Sequence, residues 1–518
     1  MIGPFGSDDD DSEVPFLERA AEWATNLGYR DPPPEVRRAA RAQVQSTVGA
    51  AIWSLDLPVA DEIAATVAAD HGDGPVSFLG GDPTTVRGAC WGNAALSMAL
   101  DFDDTVLGGH TGHSSVFVPL AVAEAEGVSG RRTLTATIAA NEVSARIAAA
   151  AAVGPFRGQQ TAYIHAVAAA VGRAVVAGDD ADTLANALAI ALGQPPWPLE
   201  PAFLGSDAKV ASAADPILTG LTAVTRAREG AVGTTNLLAA DGGFLDEFAS
   251  KPLPEFLTGL SERWHTRALT VKAVPGCAYV IAPVEAALEV RRQFPERDVT
   301  IGRVTVAGSL FCTEVNARAE PYVWGPDSTL AALTFSVPYN VASALLRGEH
   351  TPRQFTPAAL GESRVWKLVQ NVSVEHDPAF TMAALESEVP LGAMLRRVGP
   401  GVLPYAATTV GPVITLRHLP TLLKFVRKRP LPDDLSDADK RMGARVTVEL
   451  DSGEVLSATV DHPTGFAGRT LAEVRATART KLREALEARG ARESAARAAA
   501  ETVGALDEQG SVSLRAWL

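Results

Sequence analysis

Apolar residues recur at helical spacing through the first half of the chain. Between Thr133 and Val153, Leu134, Ile138, Val143 and Ile147 fall every four or five positions among alanines, which places them on one stripe of a helix. Leu184, Leu188 and Leu192 repeat at a spacing of four; Asp180 or Asp182 can cap that helix, and Gly193 can end it. The abundant alanines let helices approach closely at low entropic cost, so this half predicts a large, tightly packed helical domain. The texture changes after about Thr266. Short β-branched runs appear at 300–306, 372–374 and 445–450, and the last leads through Asp451-Ser-Gly453 into a second run ending at Val460, which predicts a hairpin. Helical spacing persists between them at Tyr339–Leu346 and returns alone at Leu471–Ala488, where Val474 and Leu482 sit among alternating charges.

The pattern therefore predicts a mainly α protein. A large all-α helical domain is formed by residues 1–265 and 466–518, with a smaller α+β domain, residues 266–465, inserted in it. Within the insert, 396–441 is rich in Pro and Gly and carries the basic LLKFVRKRP; it reads as a long connection or insertion. No internal repeat is visible.

Composition narrows the class. At 518 residues the length allows about three domains, or two large ones. Hydrophobic residues at 47% and charged residues at 21% are the balance of a globular chain and exclude a disordered one. The net charge of −15 repels a phosphate backbone, so no nucleic-acid partner is expected. Cys90, Cys277 and Cys312 are too few and too scattered for a disulfide framework or a structural zinc site, which points to a reducing, cytoplasmic setting. The acidic N-terminus lacks the blocks of a signal peptide, and the most apolar stretch, IHAVAAAVGRAVVAG, is short and carries Arg173, so no membrane partner is expected either.

The chemistry concentrates at Asp101-Phe-Asp-Asp-Thr-Val-Leu-Gly-Gly-His-Thr-Gly-His113, between two apolar helical runs. Its glycines allow sharp turns and close approach to a ligand. Histidine carries protons near neutral pH, and carboxylates orient it and raise its basicity. Two plainer readings compete: Asp101, Asp103 and Asp104 cap helix ends and satisfy loop donors, or Asp103, His110 and His113 ligate a divalent metal. His-x-x-His in a glycine loop lacks the helical i, i+4 spacing of a zincin and no cysteine assists, so no metal and no other cofactor is expected.

From this cluster onward the chain resembles the MmgE/PrpD family, which includes 2-methylcitrate dehydratase, cis-aconitate decarboxylase and iminodisuccinate epimerase. The resemblance is carried by Leu100–Thr105, His113, Pro119 and AVAEAEG (121–127), then by GVSGRRTL (127–134), ALAIALGQ (187–194), GSDAK (205–209) and GGFLDEF (242–248). It continues through VKAVPGCAY (271–279), FSVPYNVASALL (335–346) and VTVELDSGEVLSATVDHPTG (446–465). It implies a helical domain with an α+β lid, usually a homodimer, with the active site between the domains. Residue by residue, it implies Asp101 and Thr105 as the active-site Asp and Thr, and Lys209 and Tyr339 as the active-site lysine and tyrosine. The loop histidine corresponds to His113, with His110 the alternative because the loop is shorter before Pro119.

The departures are specific. Phe156-Arg157-Gly158 replaces a Phe-His-Pro, with His165 a possible substitute that is more simply a packed residue; Ile281 stands where a second histidine is usual, and Met98 where a third is. Lys272 and Asp104, together with Arg157, Met98 and Ile281, complete the residues expected to bind substrate. Losing imidazoles removes donors and adds apolar surface, so the expectation is a larger, less charged ligand. The leading expectation is a cofactor-independent lyase or isomerase acting on a small molecule with an acidic or carbonyl group. His113 or His110 moves the proton, Asp101 and Thr105 orient it, Lys209 and Arg157 stabilise negative charge, and Tyr339 donates a proton. The alternatives are a recruited biosynthetic cyclase or rearrangement catalyst on a natural-product (for example polyketide) intermediate, and a degenerate, non-catalytic member. Stabilisation by citrate-like acids separates the first from the second.

Overall fold

The structure is a computed structural model and describes residues 14–518 apart from 155–161, 295–298, 388, 390, 410 and 426–430. Arg157, expected to bind substrate, lies outside the described residues.

The predicted helices form where the spacing put them. Gly130–Ala150 buries Leu134, Ile138, Val143 and Ile147. Asp180 caps Ala181–Leu192, its carboxylate accepting from the Thr183 amide at 2.8 Å. The helix Ile164–Ala177, the most apolar stretch, is surrounded by Gly112–Glu126, Gly130–Ala150, Ala181–Leu192 and Ala211–Arg228. A helix apolar on nearly every side must be buried on every side. Gly220 makes one of these crossings possible, since a Cβ there would meet the Ala166 carbonyl oxygen at 2.2 Å. No helix among the described residues is long and apolar enough to cross a membrane. Near the chain's end, Leu471–Ala488 packs along Pro34–Trp53, so the C-terminal part rejoins the first helices.

Strand β1 (Asp73–Val76) only bridges to Thr84. Strands β2 (Asp104–Val106) and β3 (Leu269–Val271) pair antiparallel, with Thr105 opposite Thr270. A second sheet has four strands among the described residues. There β4 (Ile301–Gly308) runs parallel to β5 (Val372–His376) and antiparallel to β6 (Ala444–Leu450), which turns back into β7 (Val455–Val460). The predicted hairpin turn is closed by Gly453 at φ 87°, a conformation glycine adopts without strain. Val304, Val306, Val446 and Val448 are all fully buried, with the period of two that a strand imposes. They form a second core with the helix Ala278–Arg292. The protein is thus mainly α with a smaller α+β part, the class the sequence indicated.

Two features position the site. Glu142 accepts from the His265 and Thr266 amides at 2.8 Å each and pairs with Arg146 at 2.6 Å, which clamps the approach to β3. The stretch 396–441, read as a long connection or insertion, carries short helices at Val402–Thr409 and Pro412–Arg417, and the helix Leu391–Val398 runs into it. Met394, on the helix Leu391–Val398 just ahead of the stretch, covers the glycine loop, its Cε 3.0 Å from where a Gly108 Cβ would be.

Candidate active site

Backbone geometry gives the three carboxylates of the loop different sets of partners, with one lysine shared by the first two. After the helix Val86–Ala99, Asp101 turns the chain at φ 49°, a left-handed conformation unusual for a residue with a Cβ. The β2–β3 ladder then begins at the Asp103 carbonyl, which accepts from the Lys272 amide at 3.3 Å. Side chains alternate along an extended run, so Asp103 and Thr105 share one face and Asp104 takes the other.

Lys272 joins the first two carboxylates. Its ammonium donates to the Asp101 carbonyl at 2.8 Å, to Asp101 Oδ1, and to Asp103 Oδ1 at 2.7 Å. Lys209 lies 3.1 Å from Asp101 Oδ2, with longer contacts to the Met98 carbonyl at 3.4 Å and Thr334 Oγ1 at 3.5 Å. Burial opposes charge on Asp101, but Lys209 and Lys272 outweigh it and hold the carboxyl below its usual range. Asp103 is also held well below that range, burial being outweighed by His110 and Lys272.

The free oxygen of Asp103 serves both histidines. Its Oδ2 lies 2.5 Å from His110 Nδ1 and 3.1 Å from His113 Nε2. The carboxylate fixes a proton on His110 Nδ1 and leaves Nε2 as the basic nitrogen. The His110 side chain is 23% exposed, whereas that of His113 is 0% exposed. His113 Nδ1 meets Ser97 Oγ at 2.7 Å, and Ser97 also reaches the Ala94 carbonyl at 2.8 Å. His165 is buried 5.6 Å from the His113 ring, with Nδ1 on Ser114 Oγ at 3.0 Å. Burial first, then the neighbouring His113, keeps it neutral.

Asp103, His110 and His113 offer three donor atoms within 4.8 Å of one another, enough to suggest a metal. The arrangement fits a hydrogen-bonded dyad better. Ligands on one cation at about 2.0–2.2 Å stand roughly 3 Å apart or more, farther than the 2.5 Å between His110 and Asp103, and the Lys272 ammonium already sits on the same carboxylate.

Two lysines absent from the expected set complete the cluster. Lys440 donates to Thr105 Oγ1 at 2.9 Å. Lys481 donates to Ser46 Oγ at 2.9 Å and to the Phe102 carbonyl at 2.7 Å, with its ammonium 4.0 Å from the Phe102 ring centroid. Burial lowers both, Lys440 to about 8 and Lys481 to about 7. Lys481 was findable, since it lies on the apolar stripe of its helix, seven residues after Val474. Lys440 precedes an arginine in a polar run and carries no such signal.

These groups have a measurable consequence. With the two lysines depressed, the unfolded chain binds more protons than the folded one above about pH 7, so stability rises with pH there. Cys90, Cys277 and Cys312 are each pushed up to about 12 by burial. Unfolding therefore lets them ionise above about pH 8.5, which reverses the slope. Urea unfolding is expected to show greatest stability between about pH 8 and 9, and Lys481→Met is expected to move that maximum lower; a curve already falling from pH 7 contradicts the assignment.

Several expectations are corrected. Asp101 and Thr105 do not orient a histidine; Asp103 does, since Asp101 turns to Lys272 and Lys209 and Thr105 is taken by Lys440. Lys272 has three acceptors for its three protons and none to spare for substrate. Asp104 faces away, accepting from Gln43 at 2.7 Å and Thr47 at 3.0 Å, and burial followed by the nearby Asp103 raises its pKa. Tyr339 donates to the Gln354 carbonyl and stacks on Trp366 with centroids 5.2 Å apart, a packed core tyrosine. Ile281 is fully buried in the second core, and Met98 contributes its carbonyl while its side chain is buried. Among the described residues the cluster is closed to solvent apart from His110: Asp101, Asp103, His113, Lys209 and Lys272 are all buried. Cavities of about 570 and 580 Å³ lie elsewhere, one beside Glu35, Arg267 and Arg469, the other beside Arg87 and Thr222.

A helical core, a small α+β part and a buried Asp–His–Lys cluster on the loop between two helices define a recognisable class. The chain belongs to the MmgE/PrpD family: the family's N-terminal domain is matched over residues 18–257 and its C-terminal domain over 274–394. It is similar to the cis-aconitate decarboxylase-like protein oryM of Aspergillus oryzae, 25% identical over 395 residues, spanning 69% of this chain and 79% of that protein. The cis-aconitate decarboxylase of Aspergillus terreus is 24% identical over 403 residues, spanning 72% and 81%.

Proposed function

We propose that the chain is a lyase needing no cofactor, moving a proton at a carbon beside a carboxylate of a small organic acid. The observation that carries this reading is the Asp103–His110 pair, a histidine with one nitrogen fixed by a buried carboxylate and the other without a partner among the described residues, on the most exposed part of a lysine-rich cluster. In the base form His110 Nε2 accepts a proton from carbon. In the acid form it returns one, as when a carbon–carbon bond breaks, carbon dioxide leaves and the electron pair left on carbon takes up the proton. Lys209, whose contacts at 3.1–3.5 Å are long for an ammonium, stabilises the negative charge that develops.

The relatives' names support a carboxylic acid as substrate. Ile281 and Met98 are packed in the core and give no support to the expectation of a larger, less charged ligand, whose third ground, at Arg157, lies outside the described residues. Substrate entry requires the glycine loop and the segment around Met394 to part, and assembly as a homodimer is part of the same proposal. The test is proton NMR in D₂O with cis-aconitate, itaconate and citrate. We expect product formation or carbon-bound deuterium with at least one acid; no change in any of them, at enzyme concentrations near that of the acid, overturns the reading.

A further inference from the structure

We propose that Lys440, which lies outside both matched family domains, forms with the Thr105 hydroxyl the seat for a carboxylate of the substrate and so helps determine specificity; this rests on the acid–base reading above. Four buried lysines surround the loop, and they differ in how well they are satisfied. Lys272 has two carboxylates and a carbonyl, Lys209 has one carboxylate, and Lys481 has a hydroxyl, a carbonyl and an aromatic face. Lys440 is 3% exposed, and among the described residues its one acceptor is the Thr105 hydroxyl, with the Phe466 ring centroid 5.1 Å away. An ammonium has three protons to donate, and burying one with a single neutral acceptor is unfavourable.

The fold nevertheless holds Lys440 in place. Its amide donates to the Ala467 carbonyl at 2.8 Å, and the carbonyl of the preceding Asp439 accepts from Val389 at 2.9 Å. Ala467 is fixed in turn, its amide donating to Thr270 Oγ1 at 3.1 Å, and Thr270 stands opposite Thr105 across the β2–β3 ladder. Thr105 accepts from Lys440, so its own proton is free to point at the same ligand. Two donors thus converge beside the strand face that carries Asp103 and, through it, His110. A carboxylate bound there gains a charge-assisted hydrogen bond and supplies a direct counter-ion, since among the described residues no carboxylate contacts Lys440.

The variant Lys440→Met keeps the apolar stem and removes the charge. Thermal melts of the whole protein are taken with and without cis-aconitate, itaconate and propionate, and affinity is measured by calorimetry. We expect free Lys440→Met to melt at or above the wild-type temperature, its Kd for the best-bound acid to rise at least tenfold, and Lys440→Arg to recover part of the loss. A lower melting temperature with unchanged affinity shows a structural lysine and overturns the proposal. Unchanged affinity in Lys440→Met, with turnover still lost in His110→Ala, removes Lys440 alone. If none of the acids stabilises or binds the wild type, the seat and the acid–base reading fall together.

Discussion

His110→Ala is expected to lower kcat/KM for the exchanging acid by roughly 10²–10⁴-fold, the range for a positioned acid–base group, while the protein stays folded. His110 is the more exposed partner of Asp103, and its removal leaves that carboxylate paired with Lys272. Some stability is lost with the His110 contact, but Lys272 still holds the carboxylate and the fold survives. Asp103→Asn should lose comparable activity, because an amide cannot hold the Nδ1 proton on His110 as a carboxylate does. His113→Ala is the informative contrast. Its imidazole is fully enclosed, with Nδ1 on Ser97 and Nε2 facing Asp103, so removing it opens a cavity and unsettles the carboxylate. We expect a lower melting temperature and a smaller, indirect loss of rate. NMR rates and melts on all three variants decide the matter: if His113→Ala loses more activity than His110→Ala at an unchanged melting temperature, the roles are reversed.

Lys272→Met is expected to destabilise the protein by about 3–5 kcal/mol, the usual cost of leaving a buried ion pair without one partner. The two carboxylates it joins are both buried, and Lys209 reaches only Asp101. In the variant Asp103 keeps only the histidines, so it must take up a proton or draw one onto them. Burial opposes the Lys272 charge, but Asp101 and then Asp103 more than offset it and raise its pKa. The carboxylates, held low, contribute stability that is complete above about pH 4 and is lost as pH falls through their lowered values. Urea unfolding at pH 7 reads the loss directly. A change under about 1 kcal/mol would mean that the cluster is hydrated and the carboxylates do not depend on Lys272.

Much of this protein was legible before any coordinates. The helices at Gly130–Ala150, Ala181–Leu192 and Leu471–Ala488 and the hairpin at Asp451–Gly453 follow from spacing, caps and a turn glycine. These signals act within a few residues and survive in any tertiary setting. The loop at 101–113 was also evident, because acidic residues, histidines and glycines seldom crowd together without a task. What misled was the residue-by-residue assignment of roles. Tyr339 matched a family motif, yet its hydroxyl is taken by Gln354 and its ring by Trp366. A motif match gives position in the chain, and packing decides where the side chain points.

The sequence by itself determined the helical class, the hairpin, the family and the loop that holds the chemistry, since each is written in local pattern or in motif order. Only the tertiary structure decided which carboxylate serves which cation. Lys272, Lys440 and Lys481 meet the loop from 171, 335 and 379 residues away along the chain. Whether an aspartate faces them is set by one left-handed turn and by strand register, and a shift of one residue would exchange the faces. Coulombic energy depends on those final distances and on exclusion of water, and neither exists until the chain has folded.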